Sequence, residues 1–163
     1  MSMELFVVRH AIAEDAAPGQ ADEARALTRD GRERFEQAVK GMRALGLRFE
    51  RVLHSPWKRA AQTAELLGPI VRGPLEATPL LARAPSPALL KAIARHTEEG
   101  PTAIVGHQPW LGETVAWLAL GDTDLGDRID LKKGGVVWLE GEPEIGKMRL
   151  RAYLPPRVLR ALR

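Results

Sequence analysis

The chain has 163 residues, 45% of them hydrophobic and 28% charged, with a net charge of +3 and no cysteine. These values suit one globular domain over residues 1–163 with a sizeable core, and they exclude a disulfide framework, thiolate metal sites and a cysteine nucleophile. No run reaches the roughly 18–20 apolar residues of a membrane span, and the apolar start, Met3 to Val8, is too short for a signal peptide, so a cytoplasmic protein with no membrane contact is expected.

Residues 4–9, Glu-Leu-Phe-Val-Val-Arg, form a short β-branched apolar run that predicts a buried strand. Residues 11–27 are rich in Ala, Gly and acids and predict a long loop. Thr28 is placed to cap a helix whose apolar stripe is Phe35, Val39, Met42 and Leu45, and Gly46 is placed to end it. Arg51 to His54 predicts a second strand, and Ser55-Pro56 a helix with Pro at its first position, ending at Gly68-Pro69. A weak strand is predicted near Leu75-Glu76-Ala77, then a helix from Ser86-Pro87 carrying Leu89, Leu90 and Ile93. Thr102 to Gly106 predicts a strong strand and Pro109 to about Leu120 a helix. Gly121 to Leu131 predicts an acidic loop, and Gly135–Glu140 with Met148–Tyr153 a hairpin. The last basic stretch, Arg157 to Arg163, predicts solvated surface rather than a nucleic-acid site.

Alternating strands and helices imply a three-layer α/β/α sandwich, its mostly parallel sheet closed by an antiparallel edge. In such sheets ligands collect beyond the carboxyl ends of the strands. The first strand ends in Arg9-His10, the second in His54-Ser55 with Arg59 soon after, and the fourth in Gly106-His107. Two histidines and two arginines are thereby expected on one rim. Arginine forks match phosphate oxygens, helix N-termini favour anions, and a histidine flanked by guanidinium groups stays neutral with a free lone pair.

Leu5-Phe6-Val7-Val8-Arg9-His10-Ala11 resembles the R-H-G signature of the histidine phosphatase superfamily, and Ser55-Pro56-Trp57-Lys58-Arg59-Ala60-Ala61-Gln62-Thr63 resembles its S-P-x-x-R-x-x-Q-T segment. Asp22 with Leu27-Thr28-Arg29-Asp30-Gly31, and Val105-Gly106-His107-Gln108-Pro109, resemble two further family segments in the same order. The R-H-A-x-A-E opening and the G-H-Q-P segment look most like SixA-type phosphohistidine phosphatases. The resemblance implies a phosphoglycerate-mutase-like fold. It also implies a phosphorylated substrate, either a phosphohistidine protein or a small phosphate compound. His10 would be the nucleophile, and Arg9, Arg59 and His107 would hold the phosphoryl group, with no metal or organic cofactor.

The family's mutases and sugar phosphatases take a Glu general acid from the loop after the third strand, whereas Ala77 to Thr97 here contains no carboxylate. That absence favours a phosphoryl donor with a good leaving group, such as phosphohistidine. The remaining acid candidates are Glu14, Asp15 and Asp22. His54 is expected to be structural, His96 to lie on the surface of the third helix, and Trp110 and Trp117 to serve packing. Two other readings stay open, a phosphoglycerate mutase or sugar-phosphate phosphatase, and a non-enzymatic phosphate-binding adaptor. Oligomeric state is open as well.

Overall fold

The computed structural model describes residues 2–162. Its strands are β1 (Met3–Arg9), β2 (Arg51–His54), β3 (Leu75–Ala77), β4 (Thr102–Gly106), β5 (Val136–Gly141) and β6 (Met148–Leu154). Its helices are α1 (Arg29–Ala44), α2 (Lys58–Leu66), α3 (Pro87–Ala94), α4 (Trp110–Leu120) and α5 (Pro156–Ala161). The strands form one sheet in the order β3-β2-β4-β1-β5-β6. The first four in that order pair in parallel, and β5 and β6 add an antiparallel edge.

Alternation along β1 divides the molecule into its layers. Phe6 and Val8 join Phe35, Val39 and Met42 of α1, Ala60 and Ala64 of α2, and Leu159 of α5 in one core. Leu5 and Val7 face the other way and join Leu89, Leu90 and Ile93 of α3 with Leu111, Val115 and Leu118 of α4. A strand covered on both faces has no polar side, which is why β1 and β4 read as unbroken apolar runs. β6 ends the sheet, and its exposed Arg149 and Arg151 are charges that discourage edge-to-edge pairing. Thr28 caps α1 by accepting the Gly31 N–H at 2.8 Å, and Gly46, at φ +81°, ends it.

Several boundaries differ from the expectation. α2 starts at Lys58 rather than Pro56, because the Ser55 hydroxyl accepts the Trp57 N–H at 3.1 Å and holds residues 55–57 in a turn. α4 starts at Trp110. The acidic segment after it contains a 3₁₀ turn at Thr123–Arg128. His96 lies beyond the end of α3, paired with Glu99 at 2.9 Å.

The largest difference is at the C-terminus, where a solvated basic stretch was expected. Residues Pro156–Ala161 form α5, and Leu159 is fully buried. α5 packs on α1 at Gly41, where a Cβ would stand only 1.8 Å from the Leu159 carbonyl oxygen. Arg163 lies outside the described residues. Among the described residues no helix is long and apolar enough to cross a membrane.

Candidate active site

Parallel register brings three strand ends to one rim. Arg9 pairs across the sheet with Gly106, and His54 with Val105. The His10 N–H donates to Gly106 O at 3.1 Å, and the Ser55 N–H to Val105 O at 2.9 Å. The Gly134 N–H donates to the carbonyls of Arg9 and His10, at 3.0 and 3.1 Å, so the residues before β5 clamp the end of β1.

His10 and His107 stand with ring centroids 5.3 Å apart. The Ala11 carbonyl lies 2.6 Å from His10 Nδ1 and can only accept, so Nδ1 carries the hydrogen and Nε2 is left with its lone pair. Burial drives the His10 pKa down to about 3, opposed by the Ala11 carbonyl and reinforced by His107, Arg59 and Arg9. His107 is pushed down to about 4, by burial first and then by the Arg59 charge. Both rings are therefore neutral at pH 7.

Ser55, directly after β2, reaches His107. Its Oγ lies 2.8 Å from His107 Nε2 and already accepts the Trp57 N–H. We assign the hydroxyl hydrogen to His107 Nε2, which puts the ring hydrogen of His107 on Nδ1.

Both arginines are partly anchored and partly free. Arg9 donates Nη1 to the Leu131 carbonyl at 3.0 Å. Arg59, 4% exposed, donates Nη1 to the Asp22 carbonyl at 2.8 Å and Nη2 to its carboxylate at 3.1 Å. Among the described residues, five buried side-chain polar atoms have no partner, and three of them are Arg9 Nε, Arg59 Nε and His107 Nδ1. Unpaired buried donors are costly. Three of them lie on residues whose charge or ring acts on His10, and unpaired donors near a bare ring nitrogen have a chemistry that suits a tetrahedral oxyanion.

The acid candidates separate. Glu14 and Asp15 are exposed, and neither is hydrogen-bonded to a histidine or arginine of the rim through its carboxylate. Asp22 reaches the rim through its pairs with Arg59 and Arg25. Burial raises its pKa, but the hydrogen bonds from Arg25 and Arg59 outweigh this and hold the carboxyl below its ordinary range. It is ionised at neutral pH, which suits holding Arg59 and opposes proton donation. Among the described residues no three His, Asp or Glu side chains are grouped to hold a metal.

Other members of the rim were not expected. Arg25 pairs with Asp22 at 2.8 Å, and its charge acts on His107. It sits in a loop with no periodicity to place it. Trp57 lies 4.6 Å from the His107 ring, with the Arg59 guanidinium 4.9 Å from its own centroid. Trp110, expected to serve packing, stands edge-on to His107 at 6.0 Å. Trp117 does pack against the α3–α4 core. His54 is buried, its Nδ1 donating to Ser55 O at 2.8 Å, a structural role. Gln62 and Thr63 tie the 11–27 loop to α2: Gln62 Oε1 accepts the Leu27 N–H at 2.8 Å, and Thr63 Oγ1 the Ala11 N–H at 3.0 Å.

Comparison with known proteins shows what the chain is similar to. The family model described as "Histidine phosphatase superfamily (branch 1)" matches residues 5–82. An uncharacterised protein of Picosynechococcus sp. is 38% identical over 155 residues, covering 93% of this chain and 90% of that protein. The phosphohistidine phosphatase SixA of Escherichia coli is 32% identical over 126 residues, covering 74% and 77% of the two chains. A structure of the protein histidine phosphatase SixA complexed with tungstate superposes with TM-score 0.78 at 26% identity, covering 96% of this chain and 99% of that one. A putative SixA of Agrobacterium tumefaciens gives 0.79 at 25% identity, covering 94% and 98%. With its sheet order, its paired histidines and this degree of likeness, the chain belongs to the histidine phosphatase superfamily, as a phosphatase of the SixA type.

Proposed function

We propose that the protein removes a phosphoryl group through a covalent phosphohistidine on His10. The observation that carries this is the bare, buried Nε2 of His10 beside the unpartnered donors of Arg9, Arg59 and His107. His10 Nε2 attacks phosphorus, a P–N bond forms, and the bond to the leaving group breaks with its electron pair on the leaving atom. Arg9, Arg59 and His107 hold the phosphoryl oxygens as charge spreads over them. Phosphorylated His10 keeps its hydrogen on Nδ1, and the Ala11 carbonyl stabilises the positive ring. Water then attacks phosphorus, Nε2 recovers its electron pair, and phosphate leaves. A tetrahedral oxyanion, tungstate, is bound by the SixA protein that this chain superposes on, which supports reading the donors of Arg9, Arg59 and His107 as an oxyanion cradle.

The substrate is a phosphoryl donor with a good leaving group, phosphohistidine foremost. Two observations support this choice. No carboxylate lies between Ala77 and Thr97, and Asp22 is held ionised by its arginines. Similarity to phosphohistidine phosphatases points the same way. The test is kcat/KM over a series of phosphate compounds of rising leaving-group pKa. A steep fall is expected, with phosphohistidine and aryl phosphates far ahead of glycerol or sugar phosphates. A flat series, with 3-phosphoglycerate turned over as well as phosphohistidine, would restore the mutase-type reading.

A further inference from the structure

Of the four tryptophans, Trp117 and Trp138 pack against the two cores. Trp57 and Trp110 belong to neither core and stay partly exposed at the rim. Trp57 precedes α2 and Trp110 opens α4, so two separate segments deliver them to the same place. Their centroids are 5.7 Å apart at 67°, and both adjoin His107, at 4.6 and 6.0 Å. Each indole therefore leaves part of its apolar surface uncovered, and that surface lies beside the rim rather than in a core. Their arrangement beside His107 and Arg59 gives the rim an aromatic side next to its cationic one.

We propose that Trp57 and Trp110 form a shelf that receives a planar, aromatic leaving group and so select ring-bearing phosphoramidates such as phosphohistidine. The proposal rests on the phosphatase reading above and deepens it. A phosphoimidazole ring carries a second nitrogen away from phosphorus. With a proton there the ring is cationic, and indole faces attract a cationic ring by the same electrostatics that draw Arg59 to Trp57. When His10 Nε2 displaces it, the P–N pair stays on the departing nitrogen and the far nitrogen keeps its proton. The ring leaves as neutral imidazole, and no acid on the protein is required. The phosphoryl group passes from one imidazole to another, with the shelf facing the donor ring as the Ala11 carbonyl faces His10.

The test compares two P–N substrates, N-phosphoimidazole, whose leaving group is a ring, and phosphoramidate, whose leaving group is ammonia. In Trp110→Leu, and separately Trp57→Leu, the ratio of kcat/KM for the ring substrate over phosphoramidate should fall by about tenfold, the scale of one or two aromatic contacts. Trp110→Phe and Trp57→Phe should keep most of that ratio, since a ring is retained. Labelling of His10 by phosphoramidate in each variant shows that the protein is folded and reactive. A ratio unchanged in the Leu variants, with His10 still labelled, overturns the shelf alone. A wild-type protein that forms no phosphoenzyme overturns the phosphatase reading and the shelf with it.

Discussion

The two rim histidines should make the protein markedly less stable in mild acid. Each has an ordinary pKa of 6.5, and in the fold His10 is held near 3 and His107 near 4. Between these values the unfolded chain binds protons that the folded chain refuses. Stability from this source is full above pH 6.5 and is lost as pH falls. At pH 5 both folded rings are still neutral, so the loss is governed by the unfolded value and hardly depends on how far below 5 the folded values lie. From pH 7 to pH 5 each histidine costs about 2 kcal/mol, about 4 kcal/mol for the pair. The carboxyls of Asp22, Glu99 and Glu144, all lowered in the fold, lose their contribution only as pH drops into the ordinary carboxylate range, below this window. Urea unfolding at half-unit pH steps measures the effect, compared among wild type, His10→Asn, His107→Asn and the double variant. Each single variant should remove about half of the pH dependence, and the double variant should be nearly flat over the window. Identical pH profiles for wild type and double variant would refute the claim that both rings are buried neutral.

The other expectations address anion binding and the C-terminal helix. Arg59→Lys should raise the inhibition constant of inorganic phosphate by about tenfold or more, because a point charge cannot reproduce a guanidinium fork; an unchanged constant would remove Arg59 from the cradle. Leu159→Ala should cost about 2–5 kcal/mol in denaturant unfolding, as a fully buried Leu does. A cost within about 0.5 kcal/mol, the scale of a surface substitution, would mean that α5 contributes nothing to the core.

The strands and the centre of the candidate site were legible for one physical reason. β1 and β4 are covered on both faces, so their sequences are unbroken apolar runs, and the candidate site residues Arg9-His10 and His107 stand at or directly after their ends. What escaped depends on contacts between distant segments. α5 has a single buried residue, Leu159, amid arginines, and its seat is the gap left by Gly41 on another helix. Ser55-Pro56 has the form of a cap and first helical residue, yet the hydroxyl is committed to the Trp57 N–H and His107. Trp110 shares a helix with Trp117, and helical spacing alone cannot say that one meets His107 while the other meets the core. Asp22 was legible as a loop carboxylate near the motif, but its pairs with Arg25 and Arg59 show only in three dimensions.

The covalent step at His10 is the centre of the account, and trapping it is the most direct test. Brief incubation of the wild-type protein with phosphoramidate, followed by alkaline quenching, should leave one phosphoryl group on the intact chain. That group should be stable in base and lost in acid, and peptide mapping should find it on His10. His10→Ala should carry none, while Ser55→Ala, which keeps Nε2 of His10, should still be labelled. A phosphoryl group found on another residue, or retained in His10→Ala, would contradict the assignment of His10 as the nucleophile.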